Sequence, residues 1–258
     1  MLGRAGGVDA LTYGNHPRYT GETLWDYEAG VKTQGRGLTF NAATFYPRIK
    51  NLQVTADAGS CSSGVMFNVP KAHTQGFEAE LSARPMRGLD LALSGSIINS
   101  KFDSSVTTTA GTVIAGIRGG NRLSTVPQFQ VSASATYGQH FGSNADWYVS
   151  ASYQHVGTRF TQPSDQENTP RTFISGLPFN GATGTGATVL DLKLPSYDLV
   201  DVSARLKFNG GTEFVLYAKN LFDKTPLLSL DRERGGRARL GFNGGQPRNI
   251  GLTVRQSF

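Results

Sequence analysis

The chain has 258 residues, of which 17% are charged and 32 are glycine, and its formal net charge is +6 at pH 7. The charged fraction lies below the quarter that is usual for soluble proteins, so the composition argues against an ordinary soluble enzyme. No apolar run in the sequence approaches the roughly 20 residues of a membrane-spanning helix. A membrane barrel needs no such run, because half of each strand faces a polar lumen.

The first 22 residues form a polar lead-in to the first predicted strand. Residues 1–8 contain Arg4 but no apolar core, so they do not form the secretory signal peptide that an outer-membrane protein needs. We therefore expect the chain to be a fragment of a longer protein.

Apolar and polar residues alternate with a period of two along most of the remaining chain, which predicts β-strands. The clearest case is 127–137, where Phe129, Val131 and Ala133 alternate with polar residues. Pro47 predicts a bulge or a loss of pairing in the second strand. The nine predicted strands cover residues 23–33, 38–54, 74–84, 89–102, 127–137, 146–160, 197–208, 212–222 and 249–258.

The connections between these strands alternate between short and long. Asn209-Gly210-Gly211 is one of the short ones, and its glycines suit a tight hairpin turn. Short turns at one end and long loops at the other are typical of outer-membrane barrels. An odd number of strands leaves the two termini on opposite sides of a membrane, and an open sheet in lipid exposes unpaired backbone groups. We therefore expect that the chain cannot close a barrel by itself.

The last three predicted strands resemble the C-terminal end of a TonB-dependent receptor, the outer-membrane active transporter of Gram-negative bacteria. Residues 27–32, after Glu22, also resemble the mid-barrel motif of that family. The resemblance at the C-terminus rests on Tyr197-Asp198, Asn220-Leu221-Phe222-Asp223, Pro247-Arg248-Asn249 and the terminal Phe258.

The resemblance implies an all-β fold, namely a transmembrane antiparallel barrel of about 22 strands of which this chain holds about nine. Residues 1–22 would be the remnant of an extracellular loop, and 23–258 the C-terminal part of the barrel, without the plug domain or earlier strands. The implied function is energised uptake of a scarce, large ligand, most often a ferric siderophore. The implied partners are outer-membrane lipid and lipopolysaccharide, the ligand, and the TonB complex through the missing plug. The last strand resembles the signal read by the barrel-assembly machinery, carried by Ile250, Leu252, Val254 and Phe258.

Much of the net charge comes from one predicted loop that carries four arginines. Neither a helix nor an aromatic platform accompanies them, so the loop does not read as a nucleic-acid site. The alternatives are contact with an anionic ligand, contact with lipid headgroups, and simple solvation. We take an anionic ligand as the working hypothesis for Arg232, Arg234, Arg237 and Arg239.

No catalytic constellation stands out, so we expect no enzyme, no cofactor and no metal site. The four histidines, His16, His73, His140 and His155, lack metal-ligand spacing. Glycine-rich 181–186 lacks the lysine of a phosphate-binding loop, so a flexible loop explains it better. Cys61 is the single cysteine and has no partner in this sequence.

Two groups of residues, and the chain as a whole, allow alternative functional interpretations. Glu78 and Glu80 could form a glycosidase pair, but a polar row facing a lumen explains them better. The aromatic residues could stack on carbohydrate, but interfacial girdles are the favoured interpretation. A passive porin and a soluble secreted β-sandwich binding module remain alternatives for the whole chain. The aromatic residues concerned are Trp25, Tyr27, Trp147, Tyr148 and Tyr153.

Overall fold

The computed structural model describes residues 19–57, 64–167, 169–174, 187–232 and 240–257. Within these ranges one antiparallel sheet of eleven strands dominates, accompanied by three two-stranded sheets. Among the described residues no helix is long and apolar enough to cross a membrane. In chain order the strands are β1 (Thr23–Trp25), β2 (Glu28–Gly35), β3 (Leu38–Phe45), β4 (Arg48–Asp57), β5 (Gly64–Met86), β6 (Leu89–Phe102), β7 (Phe129–Phe141), β8 (Ala145–Val156), β9 (Arg159–Phe160), β10 (Arg171–Ile174), β11 (Ala187–Leu190), β12 (Lys193–Leu194), β13 (Tyr197–Phe208), β14 (Thr212–Lys219), β15 (Leu227–Arg232), β16 (Leu240–Gly244) and β17 (Asn249–Gln256).

The eleven strands of the main sheet make nine passes, which confirms the number of strands predicted from the sequence. β1 and β2 form one interrupted pass, and β3 and β4 form another, because both β3 and β4 pair with the 23-residue strand β5. The second interruption falls at Tyr46 and Pro47, where the sequence predicts a loss of pairing. The register across it is unbroken, since Phe45 pairs with Gly76 and Arg48 pairs with His73.

The prediction of a long loop after residue 54 is wrong. β4 continues to Asp57 and β5 begins at Gly64, and the two strands pair as one long hairpin. Cys61 lies outside the described residues. The physical reason is that the apolar side chains of this hairpin contact another loop, as shown below, so the strands are stable well beyond the predicted limit.

Each pass presents an apolar face and a polar face, and the register keeps the two faces separate across the sheet. One row of direct neighbours across five strands, from β5 to β13, is apolar or aromatic: Leu81, Leu93, Ala133, Tyr153 and Val200. The adjacent row on the opposite face is polar: Glu80, Ser94, Ser132 and Gln154. We call these two sides the apolar face and the polar face.

The apolar face is bare. Leu93 is 48% exposed and Ile97 is 60% exposed, and Leu216, Ile250 and Leu252 are exposed on the last strands. No second sheet covers this face within the described part of the chain. A soluble β-sandwich buries such a face under another sheet, so the structure does not support that alternative.

Aromatic residues border the apolar face at both of its ends, as the girdle interpretation predicts. Near the short turns, Tyr137 and Trp147 meet edge to face with ring centroids 5.6 Å apart. Near the long loops, the hydroxyl of Tyr153 donates to Asp198 over 2.6 Å. Tyr148 is the exception, because it lies on the polar face under the guanidinium of Arg205 and does not belong to a girdle.

Adjacent residues on opposite faces allow a direct test of which side meets lipid. We predict that Leu93→Arg lowers the free energy of unfolding in a bilayer by about 2 to 4 kcal/mol, because a lipid-facing cation near the midplane is that costly. Urea titration in lipid vesicles measures this difference.

The matched control is Ser94→Arg, since Ser94 directly neighbours Glu80 on the polar face. This variant should differ from the original protein by less than about 1 kcal/mol. Equal destabilisation by both substitutions would contradict the assignment of the two faces.

Candidate functional site

At the long-loop end the chain builds an additional folded layer on top of the sheet. Its apolar cluster joins Phe67, Val69 and Ala72 of β5 and Phe102 of β6 to Ile114 and Ile117 of the β6–β7 loop, and all six are buried. Ala72 and Phe102 are direct neighbours on the side of the sheet that carries the polar face farther down. The β6–β7 loop, residues 103–128, therefore covers that side of the sheet above its polar rows.

A shift in the alternation of β4 allows this packing. Ile49 contacts the cluster, and so do Leu52 and Val54, three and five residues later. Between them Asn51 has a positive φ of 56°, a conformation that asparagine tolerates better than most residues. Its carbonyl accepts a hydrogen bond of 2.7 Å from the side chain of Asn68 on β5. Val69 and Ala72, which pair with Leu52 and Ile49, are also three residues apart, so both strands shift their alternation at this level and turn apolar side chains towards the loop.

The β6–β7 loop is joined to the turn at Pro163–Gln166 by close packing and hydrogen bonds. A Cβ atom on Gly116, whose φ is +70°, would lie 2.4 Å from the backbone of Ser164, so only glycine fits there. Arg122 exchanges two hydrogen bonds with the side chain of Gln166, of 2.8 and 2.7 Å. The two loops therefore form one unit, although about 45 residues separate them in sequence.

Arg118 and Glu167 form the ion pair of this unit. Two guanidinium nitrogens of Arg118 each donate to the carboxylate over 3.0 Å, and the amide of Asn121 donates over 2.7 Å. The hydrogen bond from Arg118 lowers the pKa of Glu167 below its usual value, and the bond from Asn121 acts in the same direction, while partial burial opposes them. The same contact raises the pKa of Arg118.

Two further arginines are held by neutral groups. Arg159 is 6% exposed, and its guanidinium donates 2.6 Å to the carbonyl of Leu227 and lies 5.2 Å from the ring centre of Tyr197. Arg122 donates to the carbonyl of Thr158, and burial lowers its pKa. Among the described residues neither arginine forms an ion pair, and both are held by backbone carbonyl groups. The same layer also buries the carboxyl group of Asp165.

The same layer includes the β15–β16 hairpin. Arg159 contacts its first strand, and the backbone N–H of Leu230 donates to the hydroxyl of Thr161 over 2.9 Å. Leu192 and Leu230 are buried together beside this contact. We call residues 103–128, 157–167, 225–232 and 240–244 the loop layer.

The motif Asn220-Leu221-Phe222-Asp223 forms the turn that ends β14 and supports the loop layer from below. Asn220 is buried and has a positive φ of 49°. Its side chain bonds both the N–H and the carbonyl of Lys224 and the carbonyl of Gln246, over 2.7 to 2.9 Å. The carboxylate of Asp223 accepts from the N–H of Arg248 at the start of β17. The motif therefore fixes the strand end to the segment that leads into the last strand.

The polar face below the loop layer carries both signs of charge. Glu78 and Glu80 lie in its polar rows, beside Ser96 and Ser94, as the lumen interpretation predicts. Near the short turns, Glu213 accepts from Arg205 over 2.7 Å and from Arg255 over 3.4 Å. Among the described residues no group of three or more potential ligands is placed to hold a metal ion.

The roles predicted from the sequence for most of the candidate residues remain predictions. Arg232 ends strand β15, whereas Arg234, Arg237, Arg239 and Phe258 lie outside the described residues. Ile250, Leu252 and Val254 are exposed on the apolar face of β17. The sequence analysis missed the loop-layer residues Arg118, Arg122, Arg159 and Glu167, and no local pattern marks them.

The sequence of the chain matches the family described as TonB dependent receptor-like, beta-barrel, over residues 3–221. A curated relative, the pesticin receptor of Yersinia enterocolitica, is 27% identical over 116 residues, which are 45% of this chain and 16% of the relative. The matched part of the chain thus corresponds to about a sixth of the length of that relative.

Solved structures show the same fold. The ferric yersiniabactin uptake receptor FyuA from Yersinia pestis superposes with a TM-score of 0.67 at 19% identity, over 92% of this chain and 30% of that one. The copper transporter OprC superposes with a TM-score of 0.61 at 15% identity, over 93% of this chain and 32% of that one.

The hydrogen bonds of Asn220 predict a large effect for a small substitution. Asn220→Ala should lower the free energy of unfolding by about 2 to 4 kcal/mol, because it removes the three hydrogen bonds of the buried side chain to Lys224 and Gln246 and places alanine at a positive φ. Asn220→Gly removes the strain but not the loss of hydrogen bonds, so it should recover only about 1 kcal/mol. Urea titration of both variants measures the two contributions, and wild-type stability of Asn220→Ala would contradict them.

The lowered pKa of Glu167 predicts a loop layer that loosens in acid. Its folded pKa lies below the ordinary value of 4.5, so the ionised carboxylate stabilises the contact above pH 4.5, and this contribution is lost as the pH falls through the folded pKa. Hydrogen exchange of residues 103–128, corrected for the intrinsic effect of pH, should show reduced protection in that range.

Glu167→Gln should show the reduced protection already at neutral pH and no further step in acid. Glu28→Gln, on the exposed strand β2, is the control and should behave like the original protein. An unchanged acid step in Glu167→Gln would assign the loosening to another group.

Proposed function

The chain belongs to the TonB-dependent receptors, outer-membrane proteins of Gram-negative bacteria, and on this premise we propose that it forms the C-terminal part of the barrel wall of a transporter for a scarce, large ligand such as a ferric siderophore. It covers 30% of the FyuA chain. The activity of the whole transporter therefore belongs to the proposal.

The observation that carries the proposal is the position of the loop layer relative to the two faces. The apolar face meets lipid, so the polar face lines the interior of the barrel. The β6–β7 loop packs on the same side as the polar face, through Ile114, Ile117 and Phe102. The loop layer therefore leans over the mouth of the lumen, where a ligand from outside the cell arrives.

The construction of the loop layer suits ligand capture. Its contacts form between segments that are distant in sequence, including Arg118 with Glu167 and Arg159 with Leu227. A surface that is ordered before binding loses less conformational entropy when it binds.

The four arginines named from the sequence extend this argument. In the β15–β16 hairpin Arg232 pairs with Leu240, and Arg159 holds the start of β15 by donating to the carbonyl of Leu227. We propose that Arg232, Arg234, Arg237 and Arg239 contact anionic groups of the ligand. Contact with lipopolysaccharide and simple solvation are the competing roles.

The remaining partners follow from the family. We propose that Ile250, Leu252, Val254 and Phe258 present the assembly signal to the barrel-assembly machinery. The TonB complex would act through a plug domain and not through the strands described here. The fold does not identify the cargo, since the structural relatives include an uptake receptor for ferric yersiniabactin and a copper transporter.

Accumulation of labelled metal tests the proposal. Cells that produce the protein should accumulate 55Fe supplied as at least one of ferric yersiniabactin, a ferric catecholate or a ferric hydroxamate, and cells without the gene should not. A proton uncoupler should abolish this accumulation, because uptake is energised. Radiolabelled copper(II) is the comparison probe.

Accumulation that resists the uncoupler would indicate a passive porin, and accumulation of copper alone would replace iron as the cargo. Failure of every ferric complex would contradict the proposal. In the same assay, glutamine at the four arginines should raise the concentration for half-maximal uptake and leave the maximal rate unchanged. An unchanged concentration would assign these arginines to lipid contact or solvation.

A further inference from the structure

Four cationic side chains lie together on the apolar-face side of the sheet, just beyond the apolar rows. Arg48, His73 and Lys101 are direct neighbours in one row across β4, β5 and β6. Lys50 and Lys71 are direct neighbours in the next row. With strands about 4.8 Å apart and about 3.4 Å per residue, the four cationic positions fall within about 10 Å by 7 Å. We call Arg48, Lys50, Lys71 and Lys101 the cationic patch.

The alternation of the strands fixes the side on which the patch lies. Ile49, Ala72 and Phe102 alternate with its members and contact the apolar cluster on the lumen side. The patch therefore points the opposite way, out of the barrel. Arg48, Lys50 and Lys71 are exposed, and Lys101 is half-buried.

The positive charges of the cationic patch are not neutralised by ion pairs within the described part of the chain. Among the described residues none of its four side chains forms an ion pair, and the adjacent carboxylate of Asp103 lies 2.6 Å from the ring of His73. The four cationic side chains outnumber this one neighbouring carboxylate, so positive charge is in excess. Lys50 lies directly opposite Lys71, and like charges in that arrangement destabilise a sheet. An anion between them removes that repulsion.

The height of the patch corresponds to the headgroups of the outer leaflet. On β6 the apolar face runs from Leu89 to Ile97, about 27 Å along the strand. Lys101 follows four residues later, on the long-loop side. Trp25, which neighbours Arg48 and is exposed, belongs to the aromatic border typical of the boundary between acyl chains and headgroups.

We propose that the cationic patch binds the phosphate groups of a phosphorylated lipid in the outer leaflet. Its acyl chains would run down the apolar face past Phe77 and Ile97, which are exposed direct neighbours below the patch. Trp25 would border the headgroup. This inference goes beyond the proposed function, because it depends on the outer-membrane location and not on the cargo.

Native mass spectrometry of the detergent-extracted, full-length protein tests the proposal by counting retained lipids. The probes are bisphosphorylated lipid A, the same lipid without its phosphates, and inorganic phosphate. The protein should retain the bisphosphorylated lipid preferentially. Glutamine at all four patch positions should weaken this retention by at least about tenfold.

The control removes the same number of charges elsewhere, with glutamine at Arg36, Arg87, Lys32 and Lys207, which lie in short turns or on the polar face. Retention should be unchanged in this variant. Arginine at Lys50, Lys71 and Lys101 should also preserve it. If the fourfold patch variant does not fold, as judged by migration before and after heating, the double variant Lys50→Gln, Lys71→Gln takes its place.

Equal retention of the dephosphorylated lipid, or equal loss in the control variant, would overturn the proposal. Competition by inorganic phosphate as effective as that of the lipid would do the same, because the site would then bind free phosphate. Metal accumulation is measured separately, so a failure of ligand uptake with intact lipid retention would refute the proposed cargo and leave this inference standing.

Discussion

The structure depends on the pairing of backbone groups within the membrane. A peptide group in hydrocarbon has no water to bond, so each strand needs a neighbour on both sides. The passes from β3/β4 to β14 have two neighbours, whereas within the described residues β2 and β17 have one each. Closure therefore requires further strands, and the chain covers about a third of the solved receptors that share its fold.

Inside the membrane the sequence predicts the fold well, because each position there must choose between lipid and lumen. Because of this choice, apolar and polar residues alternate with a period of two along each strand. This alternation predicts all nine passes of the sheet and its two faces. Tyr148 shows that the type of a residue predicts its face less well than its place in the alternation of the strand. It is aromatic and near a strand end, yet it alternates with Trp147 and Val149 and so lies on the polar face.

Beyond the membrane the same reasoning fails, because water is available and side chains can pack on either side. The alternation of β4 shifts by one residue at Asn51, which no pattern of period two anticipates. The contact between Arg118 and Glu167 joins residues 49 positions apart and leaves no local trace. Asn220 is intermediate: the motif that contains it is recognisable in the sequence through the family resemblance, but its role becomes clear only from its hydrogen bonds to Lys224 and Gln246.

The alternation that predicts the strands also determines which groups each charged residue can contact, because it decides the face on which the side chain lies. Arg205 lies on the polar face with Glu213, so its charge is compensated inside the barrel. Lys101 lies on the other side of the sheet, where among the described residues it has no carboxylate partner. Adjacent residues of a strand lie on opposite faces, so moving a charged residue by one position would transfer it from one side of the sheet to the other. The cationic patch and Arg205 therefore lie on opposite sides of the sheet, although composition alone counts their charges together in one net charge of +6.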